Sequence, residues 1–382
     1  MQVRDINVKQ AMLILGVPVI TLGLGWWYVA TYGFSWYLVG VFAVWHGLLN
    51  LAFGAGYHRC WTHRAGQLNP VVETVFALLG AAGGHGSVWQ WAAQHLNHHK
   101  YADTAEDPHS TTRFNHPVAN FMWAHMGWLL LQPTADLTAE LPAFLKENKV
   151  LAWQHRHLVL LGLMGGGVLP LLAGAWLTGS WQGAVGTLLA TMAAQVVHLQ
   201  GAFCLNSVCH LWGQQRYVLD TSVDNLWVRL LTGGEGGHNF HHAFPSDYRS
   251  GSRWWQWDIT KWALAGLSAV GLVRGLKTVP PSRELIASTR MTVNKLGPIL
   301  AQAPQPEAWC NHLSMLRYGL IHAARTQEER GHTATTCAGY ARAWCNWQAA
   351  VRKVRLRQWH NLVPVVNPGF GKNKPTKPRR AA

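Results

Sequence analysis

Histidines at helical spacing are the residues of this chain best suited to chemistry. They form three groups, called histidine boxes below: His58 and His63 in HRCWTH, His95, His98 and His99 in HLNHH, and His238, His241 and His242 in HNFHH. Each triplet occupies positions i, i+3 and i+4, which lie within roughly 100° on a helix, so its imidazoles can point at one place. Imidazole binds iron, zinc, copper and nickel, and so many imidazoles without matching cysteines favour a redox or catalytic metal over a structural zinc.

The first box differs from the other two in its spacing. His58 and His63 are five residues apart, and on an α-helix they would diverge by about 140°. Such a divergence suits ligands of two neighbouring metal ions better than two ligands of one ion. The sequence therefore predicts a two-metal centre, with His58 and His63 directed to different ions.

Acidic residues beside the boxes open a second interpretation of the site. Carboxylate-rich di-iron proteins use Glu-x-x-His on bundle helices, and this chain has two such tetrads, at 106–109 and 235–238. Their interiors are Asp-Pro and Gly-Gly, which resist the regular helix that would bring the first and fourth residues together. We therefore predict that Glu106, Asp107 and Glu235 hydrogen-bond ligand imidazoles instead of binding the metal themselves.

The elements that must carry these histidines are apolar. The chain of 382 residues is 49% hydrophobic and only 13% charged, which is too little charge for an ordinary soluble protein. Four segments reach the roughly 20 residues that a bilayer requires, at 11–30, 35–56, 158–177 and 184–205. A signal peptide is the alternative for the first segment, but its apolar run is long and lacks a clean A-x-A site, so we interpret it as a transmembrane helix.

The distribution of Lys and Arg predicts the orientation of these helices. The connections 31–34 and 178–183 contain none, whereas residues 1–10, 57–157 and 211–280 contain all 16 of the first 280 residues. By the positive-inside rule, both termini and every histidine box lie on the cytoplasmic side. The fold class expected is an all-α integral membrane protein, with four transmembrane helices in two hairpins and a cytoplasmic histidine-box di-metal domain.

The chain divides by composition near residue 280. Residues 1–280 form the predicted membrane-bound domain, in which the glycine-interrupted segment 70–93 is expected to be interfacial or re-entrant. Residues 281–363 are predicted to be a basic helical extension, and 364–382 a disordered basic tail. Residues 281–382 contain 16 Lys and Arg against four acidic residues, and thus +12 of the net +15. This charge favours anionic lipid headgroups or an acidic protein partner, and no nucleic acid is expected.

The motifs, taken in order, resemble those of the membrane-bound acyl desaturases, the stearoyl-CoA or delta-9 desaturase family. The matching stretches are GYHRCWTHR (56–64), HLNHHKYADTAEDPH (95–109), FMWAHMGWLL (121–130), NSVCHLWG (206–213) and GEGGHNFHHAFPSDYR (234–249). They cover most of 11–277. The resemblance implies a reaction in which O2 and two electrons remove two hydrogens from adjacent methylenes of a fatty acyl chain, leaving a cis double bond, most often delta-9.

The same resemblance implies a cofactor and completes a ligand set. The cofactor is a pair of iron ions (Fe2+/Fe3+). NSVCHLWG is similar to the segment that gives this family its ninth histidine ligand, which brings His210 into the site and implies that Asn206 holds a metal-bound water. The implied metal ligands are His58, His63, His95, His98, His99, His210, His238, His241 and His242, with Asn206 acting through water.

Two departures from the family pattern affect the partners. Acyl-CoA members tend to have Arg-Asp before the second box, contacting the headgroup, where this chain has Ala93-Gln94; the substrate can therefore be acyl-CoA, acyl-lipid or acyl carrier protein. The chain has no His-Pro-Gly-Gly signature of cytochrome b5, so we expect a separate electron donor, such as ferredoxin or cytochrome b5 with its reductase.

Two alternatives to the desaturase remain open. A histidine-box lipid or alkane hydroxylase uses the same kind of centre with different box spacings. A metal-binding transporter or sensor is the non-enzyme alternative, and it would require ionisable residues through the middle of the bilayer. The predicted spans offer mainly His46, Asn50 and His198, which we expect to face the helix bundle or a substrate tunnel.

Overall fold

A computed structural model describes residues 6–131 and 137–359. The chain forms two compact units, Met1–Pro280 and Pro281–Ala382, with the division where the composition changes. The predicted disordered tail at 364–382 lies outside the described residues. The described residues are mostly helical, and they include a two-stranded antiparallel sheet in which β1 (Gln67–Leu68) pairs with β2 (Val273–Arg274).

The helices of the first unit are named here in chain order. They are α1 (Val8–Tyr32), α2 (Trp36–Thr62), α3 (Pro70–Ala82), α4 (Val88–Tyr101), α5 (Pro117–Met122, continued by Trp123–Gly127 and Trp128–Leu131), α6 (Lys149–Arg156), α7 (Leu158–Thr178), α8 (Trp181–Leu211), α9 (Leu226–Leu231), α10 (His238–Ala243) and α11 (Ile259–Ala269). Short helical turns at Thr138–Glu140 and Ala143–Lys146 precede α6.

Four helices of the described chain are long and apolar enough to cross a membrane: α1, α2, α7 and α8. Short connections at 33–35 and 179–180 join α1 to α2 and α7 to α8, and α1, α2 and α7 each pack against α8. Helix α2 has 27 residues and α8 has 31, so at about 1.5 Å per residue each exceeds the roughly 30 Å of a hydrocarbon core. Their C-terminal ends lie at the end of the bundle opposite the short connections.

The ends of α2 and α8 lie further along the chain than the sequence predicted. The prediction stopped α2 at residue 56 and α8 at residue 205, because the apolar run ends there. The helices continue to Thr62 and Leu211, since the following polar residues remain buried in the protein instead of facing lipid. These added turns carry His58 and His210, so the extension of the helices positions part of the site.

Glycines break the apolar segment 70–93 into α3 and α4. Gly84 and Gly86, in the turn between the two helices, have φ values of +82° and +80°, which favour glycine because it lacks a Cβ. Helix α4 then starts with a capping box: the Ser87 hydroxyl accepts from the Gln90 N–H, and the Gln90 side chain accepts from the Ser87 N–H. The turn fixes the start of the helix that carries the second histidine box.

The second unit contains α12 (Pro281–Leu300), α13 (Pro306–Arg330) and α14 (Ala334–Arg355). It has its own buried core, which includes Trp309, Leu313, Leu320, Trp347 and Val354. Residues 301–305, which include Pro304, form the connection between α12 and α13. The described part of this unit contains none of the histidine boxes.

Candidate metal centre

The C-terminal end of α2 is a π-helix, and this decides where the first box points. Over Ala52–Thr62 the backbone is π-helical, and the His63 N–H donates to the His58 carbonyl at 3.2 Å. An i→i+5 bond closes one turn, so residues five apart lie nearly above one another. The prediction that His58 and His63 diverge to different ions is therefore wrong: they belong to one set.

The first set contains five imidazoles: His58, His63, His95, His99 and His241. Their Nε2 atoms approach one another closely. The distance is 2.9 Å from His58 to His241, 2.8 Å from His63 to His95, and 2.9 Å from His99 to His241. Every candidate ligand atom of the set lies within 4.8 Å of the others, so five ring nitrogens surround one small volume.

The second set contains four imidazoles, those of His98, His210, His238 and His242. The Nε2 atom of His238 lies 3.1 Å from those of His210 and His242. His98 Nε2 is buried and has no hydrogen-bond partner within the described chain. Because His98 and His99 are neighbours on α4, with ring centroids 5.8 Å apart, this helix contributes imidazoles to both sets.

Two of the three predicted carboxylates hydrogen-bond these imidazoles. Asp107 Oδ2 lies 2.8 Å from His98 Nδ1, and Glu235 Oε2 lies 2.5 Å from His58 Nδ1. Glu235 thus serves a histidine 177 residues away instead of His238 in its own tetrad, because the Gly-Gly turn separates those two residues.

Glu106 does not make the predicted hydrogen bond to an imidazole in the part of the chain that the structure describes. Its side chain is exposed, accepts a hydrogen bond from the Thr104 hydroxyl at 2.8 Å, and reaches no imidazole among the residues that the structure describes. The reason is that α4 ends at Tyr101 and the chain turns outward at Asp103, whose φ is +55°. Asp107 faces inward from the same loop.

The sequence reasoning missed two further carboxylates. Asp103 Oδ2 lies 2.8 Å from His210 Nδ1, and Asp220 Oδ2 lies 3.0 Å from His242 Nδ1. Asp103 was recognisable as an acidic residue inside the stretch that also contains Glu106 and Asp107. Asp220 gave no signal, because it lies in an irregular segment and meets His242 only through the tertiary fold.

The hydrogen bonds determine which ring nitrogens face the centre. An imidazole that donates its Nδ1–H to a carboxylate keeps a lone pair on Nε2. His98, His210 and His242 therefore turn three lone pairs toward one point, where they would repel each other without a cation. A divalent metal ion fits this donor set. His58 has the same arrangement, with Nδ1 bonded to Glu235 and Nε2 facing the other imidazoles, so a metal ion also fits the five-histidine set.

Burial keeps the imidazoles neutral. It lowers the pKa of His95, His99, His238 and His241 well below the usual 6.5, and the neighbouring imidazoles lower it further. A neutral ring is the form that binds a metal ion. At pH 7 these side chains are therefore ready to act as ligands.

Glu235 is held by a buried arginine. Arg59 is 1% exposed; its guanidinium donates to Glu235 Oε1 at 2.6 Å, to Asp258 Oδ2 at 3.1 Å and to the Tyr248 carbonyl at 2.7 Å. Burial alone raises the pKa of the Glu235 carboxyl, but Arg59 and His58 outweigh it and bring the pKa to about 2. The carboxylate is thus ionised and fixed in direction.

Asn206 lies on α8, four residues before His210, and is half-buried. This placement is one helical turn from a member of the four-histidine set.

The polar residues of the spans form a separate chain of hydrogen bonds. His198 Nδ1 lies 3.1 Å from Asn50 Oδ1, and His46 Nε2 lies 2.9 Å from the Leu231 carbonyl. His85, which the sequence analysis did not single out, joins the chain with its Nε2 2.7 Å from His198 Nε2. These residues face the interior of the bundle and belong to neither imidazole set.

The arrangement of the boxes agrees with a comparison to known families. The fatty acid desaturase family model matches residues 34–269, which include both imidazole sets. The chain belongs to the fatty acid desaturase family. It is 32% identical over 319 residues to acyl-CoA desaturase 1 of Saccharomyces cerevisiae, an alignment that covers 79% of this chain and 59% of the yeast protein.

Two other relatives of this desaturase-family chain differ in the substrate that they are named for. A probable acyl-CoA desaturase of Schizosaccharomyces pombe is 33% identical over 279 residues, covering 72% of this chain and 56% of that protein. An sn-1 stearoyl-lipid 9-desaturase of Synechocystis is 31% identical over 252 residues, covering 65% and 74%. The chain spans less than two thirds of the length of the two yeast relatives.

Proposed function

We propose that the protein is an iron-dependent fatty acyl desaturase. It uses O2 and two electrons from a separate donor to introduce a cis double bond, at delta-9, into a saturated acyl chain. The observation that carries the proposal is the convergence of nine imidazoles into sets of five and four, with His58 and His210 at the C-terminal ends of the apolar helices α2 and α8. Membership of the desaturase family supports the same reaction class.

The proposal gives each set one iron ion. The five-histidine set would hold one ion and the four-histidine set the other, and Asn206, one turn before His210, would bind a water on the second ion. Bound iron supplies the redox chemistry that side chains lack. The protein's own part is to position the nine imidazoles and to fix the tautomer of four of them, His58, His98, His210 and His242, which Glu235, Asp107, Asp103 and Asp220 do by accepting hydrogen bonds from Nδ1.

The proposed partners follow from the location of the site. The ends of α2 and α8 that carry the site would lie on the cytoplasmic side, so the acyl chain would come from acyl-CoA or a membrane acyl-lipid. Relatives named for each of these substrates support both headgroups. The electron donor would be an acidic protein such as ferredoxin or cytochrome b5 with its reductase, attracted by the net charge of +15.

Lipid analysis of a host that lacks unsaturated fatty acids tests the reaction. Expression with iron and a donor should yield cis-monounsaturated chains with the double bond at the ninth carbon. Accumulation of hydroxylated chains with no alkene would replace the desaturase with a hydroxylase. The lipid class in which the alkene first appears identifies the headgroup.

Variants of one residue from each set test the metal assignment. We expect His98→Ala and His241→Ala each to lose activity by more than the about 10–100-fold that follows loss of an outer partner of a ligand. His116→Ala is the matched control, because this histidine is exposed, lies outside the boxes and belongs to neither set. Full activity of His98→Ala in inserted protein would contradict the two-metal assignment.

A further inference from the structure

The two imidazole sets differ in the number of carboxylates that support them. In the four-histidine set three of the four members donate Nδ1–H to a carboxylate, in the pairs His98–Asp107 at 2.8 Å, His210–Asp103 at 2.8 Å and His242–Asp220 at 3.0 Å. Within the described residues, the five-histidine set has one such pair, His58–Glu235 at 2.5 Å.

The two sets also differ in whether a positive charge neutralises the supporting carboxylates. Glu235 also accepts from Arg59 at 2.6 Å, and both side chains are buried, so the guanidinium, which Glu235 shares with Asp258 at 3.0 Å, offsets part of the negative charge of the carboxylate that supports the five-histidine set. Asp103, Asp107 and Asp220 have no Lys or Arg partner in the part of the chain that the structure describes. Their other partners are backbone N–H groups, hydroxyls such as that of Thr111 for Asp103, and for Asp107 the His109 imidazole, whose Nδ1 lies 3.5 Å from Asp107 Oδ1.

We propose that the four-histidine set is the tighter metal site and the five-histidine set the labile one, so that the protein loses and regains one ion before the other. This inference rests on the pair of metal ions in the proposed function. A carboxylate on Nδ1 makes an imidazole a stronger ligand, and removing such a partner typically costs about 10–100-fold in metal affinity. The four-histidine set has two more supporting carboxylates than the five-histidine set, and no Lys or Arg of the described residues pairs with them. Their gain in metal affinity outweighs that of the one additional imidazole in the five-histidine set.

Iron release from the purified full-length protein tests this order. The protein is loaded anaerobically with Fe2+ in detergent, and a coloured ferrous chelator then follows release without substrate or donor. We expect two phases of one equivalent each, the slow phase at least about 10-fold slower, as the loss of one carboxylate partner would predict.

Substitution of the carboxylates assigns the phases. Asp220→Asn and Asp103→Asn should each accelerate the slow phase by about 10–100-fold and leave the fast phase unchanged. Asn tolerates the positive φ of residue 103, so this change preserves the backbone. Glu235→Gln should leave the slow phase unchanged. Glu106→Gln is the matched control, because this exposed carboxylate lies beside Asp107 and contacts no imidazole within the described chain; it should change neither phase.

Several results would overturn the inference. These are release of both ions in one phase, an unchanged slow phase in both aspartate variants, or loss of the slow phase in Glu235→Gln. Where Asp103→Asn or Asp220→Asn loads only one iron ion, that ion must be released in the fast phase. If the remaining ion were released in the slow phase, the order of the two sites would be reversed. Two phases of release in a protein that makes no alkene would contradict the proposed desaturation alone, whereas failure to bind two ions would contradict both.

Discussion

The partner of each imidazole is as important as its position in the chain. Histidine spacing predicts that the boxes converge, but hydrogen bonds to Nδ1 decide which nitrogen faces the centre. Glu235 shows how far such a contact reaches: it binds His58 from the loop before the third box, and Arg59 holds it there. The first and third boxes are therefore joined through one buried ion pair.

Arg59→Gln should destabilise the protein more than any surface change. It leaves the carboxylates of Glu235 and Asp258 buried without their counter-charge, and breaking a buried pair in this way costs about 3–5 kcal/mol. Thermal unfolding in detergent, followed by tryptophan fluorescence, should show a clear fall in apparent Tm. Arg64→Gln is the control, since Arg64 is exposed and its contact is with the Phe144 ring; it should stay within about 0.5 kcal/mol of the parent. Equal values for the two variants would contradict the structural role of Arg59.

Prediction from sequence was least successful where tertiary contacts select the partner. The nine imidazoles that the structure brings together were all recognised, because boxes of fixed spacing and a family resemblance mark them. Asp103 and Asp220 were missed, since nothing local links them to His210 and His242. Glu106 was selected for its position beside the box, yet a turn at Asp103 directs it to solvent.

Among the helices, the π-helical end of α2 has the largest effect on the site. An α-helix would separate His58 and His63, and the sequence analysis assumed one. The wider turn brings both imidazoles to the same face and also directs Arg59, between them, into the protein. No periodicity of apolar residues marks this change, because every residue of Ala52–Thr62 is buried.

Gly54→Ala should disturb the site through this element. A Cβ at residue 54 would lie 2.6 Å from Glu235 Oε1 and 2.5 Å from Thr260 Oγ1, so Glu235 must move away from His58 and Arg59. Overpacking of this kind typically costs about 1–3 kcal/mol. We expect a lower apparent Tm and weaker retention of one iron equivalent.

The same helix offers a matched control for that change. A Cβ at Gly47 would meet no atom within 4 Å, so Gly47→Ala should be neutral or stabilise α2 by up to about 1 kcal/mol through helix propensity. If Gly54→Ala behaved like Gly47→Ala in both Tm and iron content, the close approach of Glu235 to α2 would be wrong.

Amino-acid composition predicted more of the fold than local residue patterns did. Apolar length identified the four candidate spans, because a bilayer imposes a length that the sequence must match. The ends of α2 and α8 were placed too early, since burial against protein supports helices that hydropathy alone would terminate. The separate core of the second unit also agrees with the change in composition near residue 280.

The orientation of this fold is open to a direct test with single cysteines in a background from which the six native cysteines have been removed. Phe34 and Gln182, at the uncharged hairpin connections, and Asn115, in the loop after the second box, are all exposed. With the histidine sets on the cytoplasmic side, Phe34→Cys and Gln182→Cys should react with a membrane-impermeant maleimide added to intact cells. Asn115→Cys should react only after permeabilisation, because the Lys and Arg of its loop are retained inside. Labelling of all three positions in intact cells would contradict the two-hairpin arrangement, and labelling of Asn115→Cys alone would invert it.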